Sequence, residues 1–154
     1  MNIYKIFEIL DIKYQEVKHS LTYDLKEEQA IKKRLKGTGT KTLFLKDKRG
    51  TYFLVVLEES RTTSLKTLAQ KIYVSELLYA SEVDVFGLLR IEKGIITPFS
   101  IVDDLDSRVI LVIDNKLRDK KVLVRTNLND RTVALEFNDF IEFLTFIEHK
   151  IIYI

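Results

Sequence analysis

Residues 37–59 read GTGTKTLFLKDKRGTYFLVVLEE, and this stretch decides the fold. Leu43-Phe44-Leu45 and the apolar run from Phe53 to Leu57 flank a polar turn that ends in Gly50. That is the pattern of a β-hairpin, with strands at residues 41–46 and 51–58. Neither apolar run alternates with polar residues, so both strands are expected to be covered on both faces.

Working outward, Ile3, Ile6, Phe7 and Leu10 recur at helical spacing, and residues 12–19 read as a short extended segment. Residues 25–35 place Glu27 and Glu28 before Lys32, Lys33 and Arg34, the order that suits a helix dipole and i,i+4 pairing. After the hairpin, Ser64 is a natural cap for a helix over 64–72, and a further helix is expected over 82–90. Residues 93–99 hold the only proline and read as a rigid loop. Three strands follow, at 109–114, 121–126 and 132–137, separated by polar turns as in a meander. A last helix over 138–149 has Asn138 as its cap and Phe140, Ile141, Leu144 and Ile147 on one face. Helices and strands alternate without linker or repeat, which predicts one α+β domain over 1–154.

Composition narrows the chemistry. The 154 residues are 46% hydrophobic and 31% charged, with five Gly and one Pro, which excludes a disordered or collagen-like chain. There is no Cys, so disulfides, a thiol nucleophile and cysteine-ligated zinc are all excluded. His19 and His149 stand apart in the sequence and are expected to be partly exposed structural residues, not metal ligands. The amino-terminal residues carry Lys5, Glu8 and Asp11, unlike a signal peptide, and apolar runs are too short to span a membrane. A cytoplasmic protein is the default expectation.

Familiar nucleotide motifs fail on spacing. In Gly37-Thr-Gly-Thr-Lys-Thr42, Thr40 separates Gly39 from Lys41, whereas a phosphate loop needs Gly-Lys adjacent. Thr42 also occupies the last glycine of a dinucleotide fingerprint, and no G-x-S-x-G elbow occurs. Lys41 itself is notable, because strand alternation puts it on the face of Leu43 and Leu45. It either snorkels to water at the strand entrance or stands as a point charge at the mouth of a pocket, suited to a phosphate. The net charge of +2 is small, but residues 26–49 hold nine basic and three acidic side chains, either a solvated face or a surface for an RNA backbone. In the loop, Gly94 permits close backbone approach and Pro98 fixes φ, so the amides between them can be held toward a ligand oxygen; an ordinary turn has the same pattern.

Taken in order, several segments resemble the YbaK-like aminoacyl-tRNA deacylases, the free-standing relatives of the bacterial prolyl-tRNA synthetase editing domain. They are His19 before a helix with Glu28, Lys41-Thr-Leu-Phe-Leu-Lys-Asp-Lys-Arg-Gly50, Leu65-Lys-Thr-Leu-Ala69 and Leu88-Leu89. Gly94-Ile-Ile-Thr-Pro98-Phe99, Val102-Asp-Asp104, Val112-Ile-Asp114, and Asn129 with Thr132 complete the series. The resemblance implies a mixed, mostly antiparallel sheet or partial barrel with flanking helices. It also implies an enzyme that hydrolyses the ester of mischarged tRNA, typically alanine on tRNA for proline. Such a second sieve is needed because a proline pocket cannot strongly reject a smaller apolar amino acid, the difference being worth about 1 to 3 kcal/mol.

By the same resemblance, Lys41 holds the phosphate of the terminal adenosine. Gly94, Thr97 and Pro98 belong to the loop that positions the ester carbonyl and the attacking water. His19, Thr42, Ile95, Ile96, Phe99, Arg125 and Asn129 are then the expected substrate-binding residues. No metal or cofactor is implied. The expected partner is the acceptor end of mischarged tRNA, with prolyl-tRNA synthetase as a further partner and neither DNA nor membrane. Four segments depart from the family pattern: Thr42 replaces Asn, Arg125-Thr126 replaces His-Pro, Ile95-Ile96 replaces Ser-Val, and Arg90 replaces Gly. An alternative reading is therefore a noncatalytic module that keeps the fold and binds a tRNA end or a protein.

Overall fold

The computed structural model describes residues 2–20, 24–91 and 96–154. Along the chain run α1 (Ile3–Ile9), β1 (Gln15–Lys18), α2 (Leu25–Leu35), β2 (Thr38–Asp47), β3 (Tyr52–Glu58), α3 (Leu65–Lys71), β4 (Leu77–Tyr79) and α4 (Glu82–Leu89). A short 3-10 helix (Pro98–Asp103), β5 (Val109–Ile113), a 3-10 turn (Asn115–Leu117), β6 (Lys121–Arg125), β7 (Arg131–Glu136), α5 (Phe137–Phe146) and β8 (Ile151–Tyr153) follow.

Side chains cap the first four helices, among them the Ser64 expected from the sequence. Asn2, Asp24 and Ser64 accept from Tyr4, Glu27 and Thr67 amides, and Ser81 with Asp84 forms a reciprocal capping box. The expected Asn138 cap is corrected. β7 runs straight into α5, so Phe137 is the first helical residue; it is buried, and its N–H donates to Lys120 O at 2.9 Å. A cap on a side chain is not used at that end.

The sheet order is β1-β7-β6-β2-β3-β5-β8, with β4 added to β2. It is mixed: β2 pairs antiparallel with β3 and β4, as β7 does with β1 and β6, whereas β2–β6, β3–β5 and β5–β8 are parallel. The α+β class with flanking helices stands, and the strands form an open sheet that does not close into a barrel. The meander expectation is corrected, because β5 does not pair with β6. It lies between β3 and β8, where its wholly apolar, almost wholly buried sequence VILVI suits a central parallel strand. Only β6 and β7 keep the hairpin.

Hairpin register distributes the core. Leu43 opposes Val55 and Leu45 opposes Phe53 on the face covered by Leu68 and Ala69 of α3 and by Ile72 at its end. Phe44 opposes Leu54 on the other face, in a larger cluster with Phe7, Phe99, Phe140 and Phe143. Each fully buried side chain of this size contributes about 1.5–3 kcal/mol relative to exposure. A third, smaller cluster, Val17, Ile31, Leu35, Leu123 and Ala134, seats α2 on β1, β6 and β7.

His149 is buried, correcting the expectation of a partly exposed residue. Its Nε2 lies 3.0 Å from Asp104 Oδ2 and its Nδ1 3.0 Å from Ile147 O. Asp104 Oδ2 also accepts the Val109 N–H at 2.8 Å, so the group ties the end of α5 to the start of β5.

Candidate active site

β2 changes partners along one edge, and the site opens where it does so. Thr38 and Gly39 pair with β6, and Leu45 to Asp47 pair with β4 on that same edge, while β3 occupies the other. Between these two contacts the Thr40 hydroxyl donates to Leu123 O at 2.8 Å, substituting a side chain for a ladder bond. The separation leaves a cavity of about 390 Å³. Gly39, Thr40, Lys41 and Thr42 of β2 form one wall; Leu123 and Arg125 of β6, with Thr132 of β7, form another. Glu28, Ile31 and Lys32 of α2, together with Glu59 after β3, close a third side. Ile96, Thr97 and Pro98 complete the lining.

Lys41 sits opposite Leu57 on the α3 face, as its phase predicts, yet it is exposed at the open end of the strand. Its ammonium donates to the Arg61 carbonyl. That carbonyl is held in place by its own side chain. Arg61 Nε and Nη2 donate to Asp114 Oδ2 and Oδ1 at 2.9 and 2.7 Å, and Asp114 also accepts the Glu58 and Lys116 amides at 2.9 Å. Burial alone raises the Asp114 pKa, but the Arg61 guanidinium and the two amides outweigh it and hold the carboxyl below its usual range.

Thr97 and Pro98 are anchored on the side away from the cavity. Thr97 and Pro98 are buried, the Thr97 N–H donates to Ser100 Oγ at 2.9 Å, and Pro98 opens the 3-10 helix. Phe99 points away from the cavity, into the core, with ring centroids 4.9 Å from Phe143, 5.8 Å from Phe7 and 6.0 Å from Phe140. Its placement makes it an anchor for Thr97 and Pro98, in contrast to the contact role expected from sequence. Gly94 and Ile95 lie outside the described residues.

His19 stands behind the wall. Its Nε2 is 2.9 Å from the Thr132 hydroxyl, and its N–H donates to Asp130 O at 2.9 Å. Asn129 lies in the turn between β6 and β7 at φ 63°, a left-handed conformation that Asn tolerates better than most residues. The structure therefore brings Lys41, Thr42, Ile96, Thr97, Pro98 and Arg125 to one cavity, with His19 in contact through Thr132. Sequence reasoning did not find Lys32, Gly39, Thr40, Leu123 or Glu59 as lining residues. The i,i+4 spacing of Glu28 and Lys32 on α2 was the available signal for the first of these.

Among the described residues, no group of three or more His, Cys, Asp or Glu is placed to hold a metal ion, and no helix is long and apolar enough to cross a membrane. The aminoacyl-tRNA editing domain family matches residues 19–143, which contain every wall of the cavity. The chain belongs to the aminoacyl-tRNA editing family. A prolyl-tRNA editing protein ProX of Acetoanaerobium sticklandii is 33% identical over 132 residues, covering 84% of this chain and 80% of that relative. A prolyl-tRNA synthetase associated domain-containing protein 1 of Bos taurus is 30% identical over 141 residues, 88% of this chain and 82% of the relative.

Two solved structures share the fold at 14% identity. One, the hypothetical protein APE2540, gives a TM-score of 0.71 over 97% of this chain and 95% of its own. The other, a candidate trans-editing enzyme for prolyl tRNA synthetase, gives 0.64 over 91% and 85%. Editing of an aminoacyl-tRNA is hydrolysis of its ester, so this editing-family chain is a hydrolase of mischarged aminoacyl-tRNA.

Proposed function

We propose that the 154-residue chain acts in trans as one unit, removing a small amino acid, alanine in the first instance, from the acceptor end of tRNA for proline. The observation that carries this reading is the union, in one cavity, of Lys41 and Arg125 with the Ile96-Thr97-Pro98 segment. Lys41 receives the phosphate of the terminal adenosine as a compact point charge, and Arg125 adds a planar donor on the facing strand. The apolar side of Ile96 and Pro98 meets the amino acid side chain and limits its size.

Water adds to the ester carbonyl carbon, the bond to the ribose oxygen breaks, and that oxygen takes a proton to regenerate the tRNA hydroxyl. A neighbouring ribose hydroxyl assists the water. Protein groups orient the ester and stabilise developing charge on its carbonyl oxygen, so the rate gain comes from positioning and preorganised polar groups. Thr42 supplies a hydroxyl at the phosphate end of the strand. The proposed setting is the cytoplasm, beside prolyl-tRNA synthetase, whose errors the enzyme clears.

A panel of mischarged tRNAs tests the reading, with free amino acid released as the measured product. Turnover of alanyl-tRNA for proline is expected, and no hydrolysis of any small-amino-acid ester, with binding retained, would assign the chain to the noncatalytic alternative. Lys41→Ala should lower kcat/KM at least tenfold, about 1.4 kcal/mol of transition-state stabilisation. Unchanged turnover in that variant would remove the anchor.

A further inference from the structure

The cavity wall carries charge of both signs, and its acidic part has no task in the reading above. Glu59 follows β3, and its N–H donates to Gly39 O at 3.1 Å, which fixes the residue beside β2. Its carboxylate lies so close over Gly39 that a Cβ added there would overlap it. From the other side the carboxylate pairs with Lys32 of α2, the two side chains each being 32% exposed. Glu28 stands one helical turn before Lys32 and lines the same cavity. Lys32 therefore balances one of two carboxylates on this wall, and a negative charge is left over. On the β2 and β6 walls the ionic groups are the cations Lys41 and Arg125.

The substrate end has the same polarity. An aminoacyl ester of tRNA presents a phosphate anion on one side of the ester and a protonated α-amino group on the other. We infer that Glu59, backed by Glu28 and held in place by Gly39 and Lys32, receives the α-ammonium of the aminoacyl group. The inference rests on the deacylase reading and adds the second half of its recognition. A carboxylate accepting from an ammonium in a partly enclosed site forms a charge-assisted hydrogen bond, stronger than a neutral one. Its geometry here depends on a glycine: any side chain at position 39 would push the carboxylate off the wall.

The contact gives the enzyme a selectivity that side-chain size cannot give. A peptidyl-tRNA, or any ester whose amino group is acylated, presents an uncharged amide to Glu59. The carboxylate then gains no ammonium beyond that of Lys32, and the added acyl group has to enter the space beside that lysine. The enzyme thus distinguishes a free aminoacyl ester from a growing chain on the same tRNA.

The experiment compares alanyl-tRNA with N-acetylalanyl-tRNA, each rate divided by its own uncatalysed hydrolysis, because acylation alone changes ester lability. Wild-type protein should prefer the free amine by at least tenfold on that scale. Glu59→Gln should bring the preference close to unity, Glu59→Asp should restore part of it, and Gly39→Ala should reproduce the Gln result by displacing the carboxylate. Thermal melts of each variant confirm that the comparison is made on folded protein. Equal enhancement of both esters by wild-type protein, or an undiminished preference in Glu59→Gln, would overturn the inference while leaving deacylation intact. Failure of wild-type protein on both esters removes the deacylase reading and this inference together.

Discussion

Between Leu45 and Asp47, β2 is bonded to strands on both edges, whereas from Thr40 to Leu43 only β3 supplies a ladder among the described residues. The doubly paired part is buried at Leu45, beneath α3, and the singly paired part carries Lys41 and Thr42 into the cavity. One strand thus supplies both core and chemistry, and the difference lies in what borders its outer edge. Where a neighbouring strand continues, backbone polar groups are consumed and side chains pack. Where β6 parts from β2, the edge and its side chains become available to a ligand. The strongest prediction separates the two parts. Leu45→Ala should lower stability by about 3–5 kcal/mol, the cost of a cavity at a fully buried leucine. Denaturant titration measures it, and kcat per folded molecule should hold. Lys41→Ala should do the reverse, because that side chain is exposed.

A smaller effect tests whether the open part depends on the closed one. Asp114→Asn leaves Arg61 without its ionic partner and should cost about 2–3 kcal/mol, below the full value for a buried pair because Arg61 reaches solvent. The Asp114 carboxyl is held below its unfolded pKa of about 3.9. Its stabilisation is therefore present above that pH and fades as pH falls through the depressed folded value. Acid titration of the wild type should show a loss below about pH 4 that is shallower in Asp114→Asn. An identical acid limb in both proteins would show that the pair does not control stability there. Next in size, Thr40→Val removes the hydroxyl that bridges to Leu123 O across the split and should cost about 1 kcal/mol. If the bridge sets the cavity's width, that variant should also raise KM more than it lowers kcat.

Much of this architecture was legible because it is local. The hairpin, α2 and α3 with its Ser64 cap are written in apolar periodicity and capping residues, and they stand within about two residues of expectation, apart from an earlier start to β2. β4 and β8 were missed because three residues are too few to make a pattern. The position of β5 was misread because alternation describes how a strand is buried but not which strand lies beside it. At the site, Lys41 was visible as a charge in an apolar phase. Glu59 was not, since its contact with Gly39 joins the far ends of two antiparallel strands and depends on their register. Phe99 was expected at the cavity from the resemblance, whose motif runs on through it from Pro98, and a motif does not tell which way a ring turns. Thr97 and Pro98 face the ligand space because that ring turns the other way, into Phe7, Phe140 and Phe143.

The smallest predicted effect concerns the helix over the doubly paired part. α4 is joined to β2 by Lys46, whose Nζ lies 3.1 Å from Asp84 Oδ2, and to β3 by the Tyr52 hydroxyl, 2.8 Å from Asp84 Oδ1. The helix ends at Arg90, whose N–H donates to Phe86 O at 3.0 Å while its backbone sits at φ 60° and ψ 31°. A side chain in that left-handed conformation crowds the following carbonyl, a cost of about 1–2 kcal/mol that glycine does not carry. Glycine instead loses more freedom on folding, which returns part of the difference. Arg90→Gly should therefore stabilise the protein by about 0.5–1 kcal/mol, raising Tm by about 1–4 °C for a chain of this size. Because α4 serves the packed part of β2, kcat/KM on alanyl-tRNA should stay within twofold. A drop in Tm would mean that the arginine side chain makes a contact worth more than its backbone strain. A gain in Tm accompanied by lost turnover would instead show that the helix end sets the placement of Ile96, Thr97 and Pro98, and that the division between packed and reactive parts of the molecule is drawn too sharply at β2.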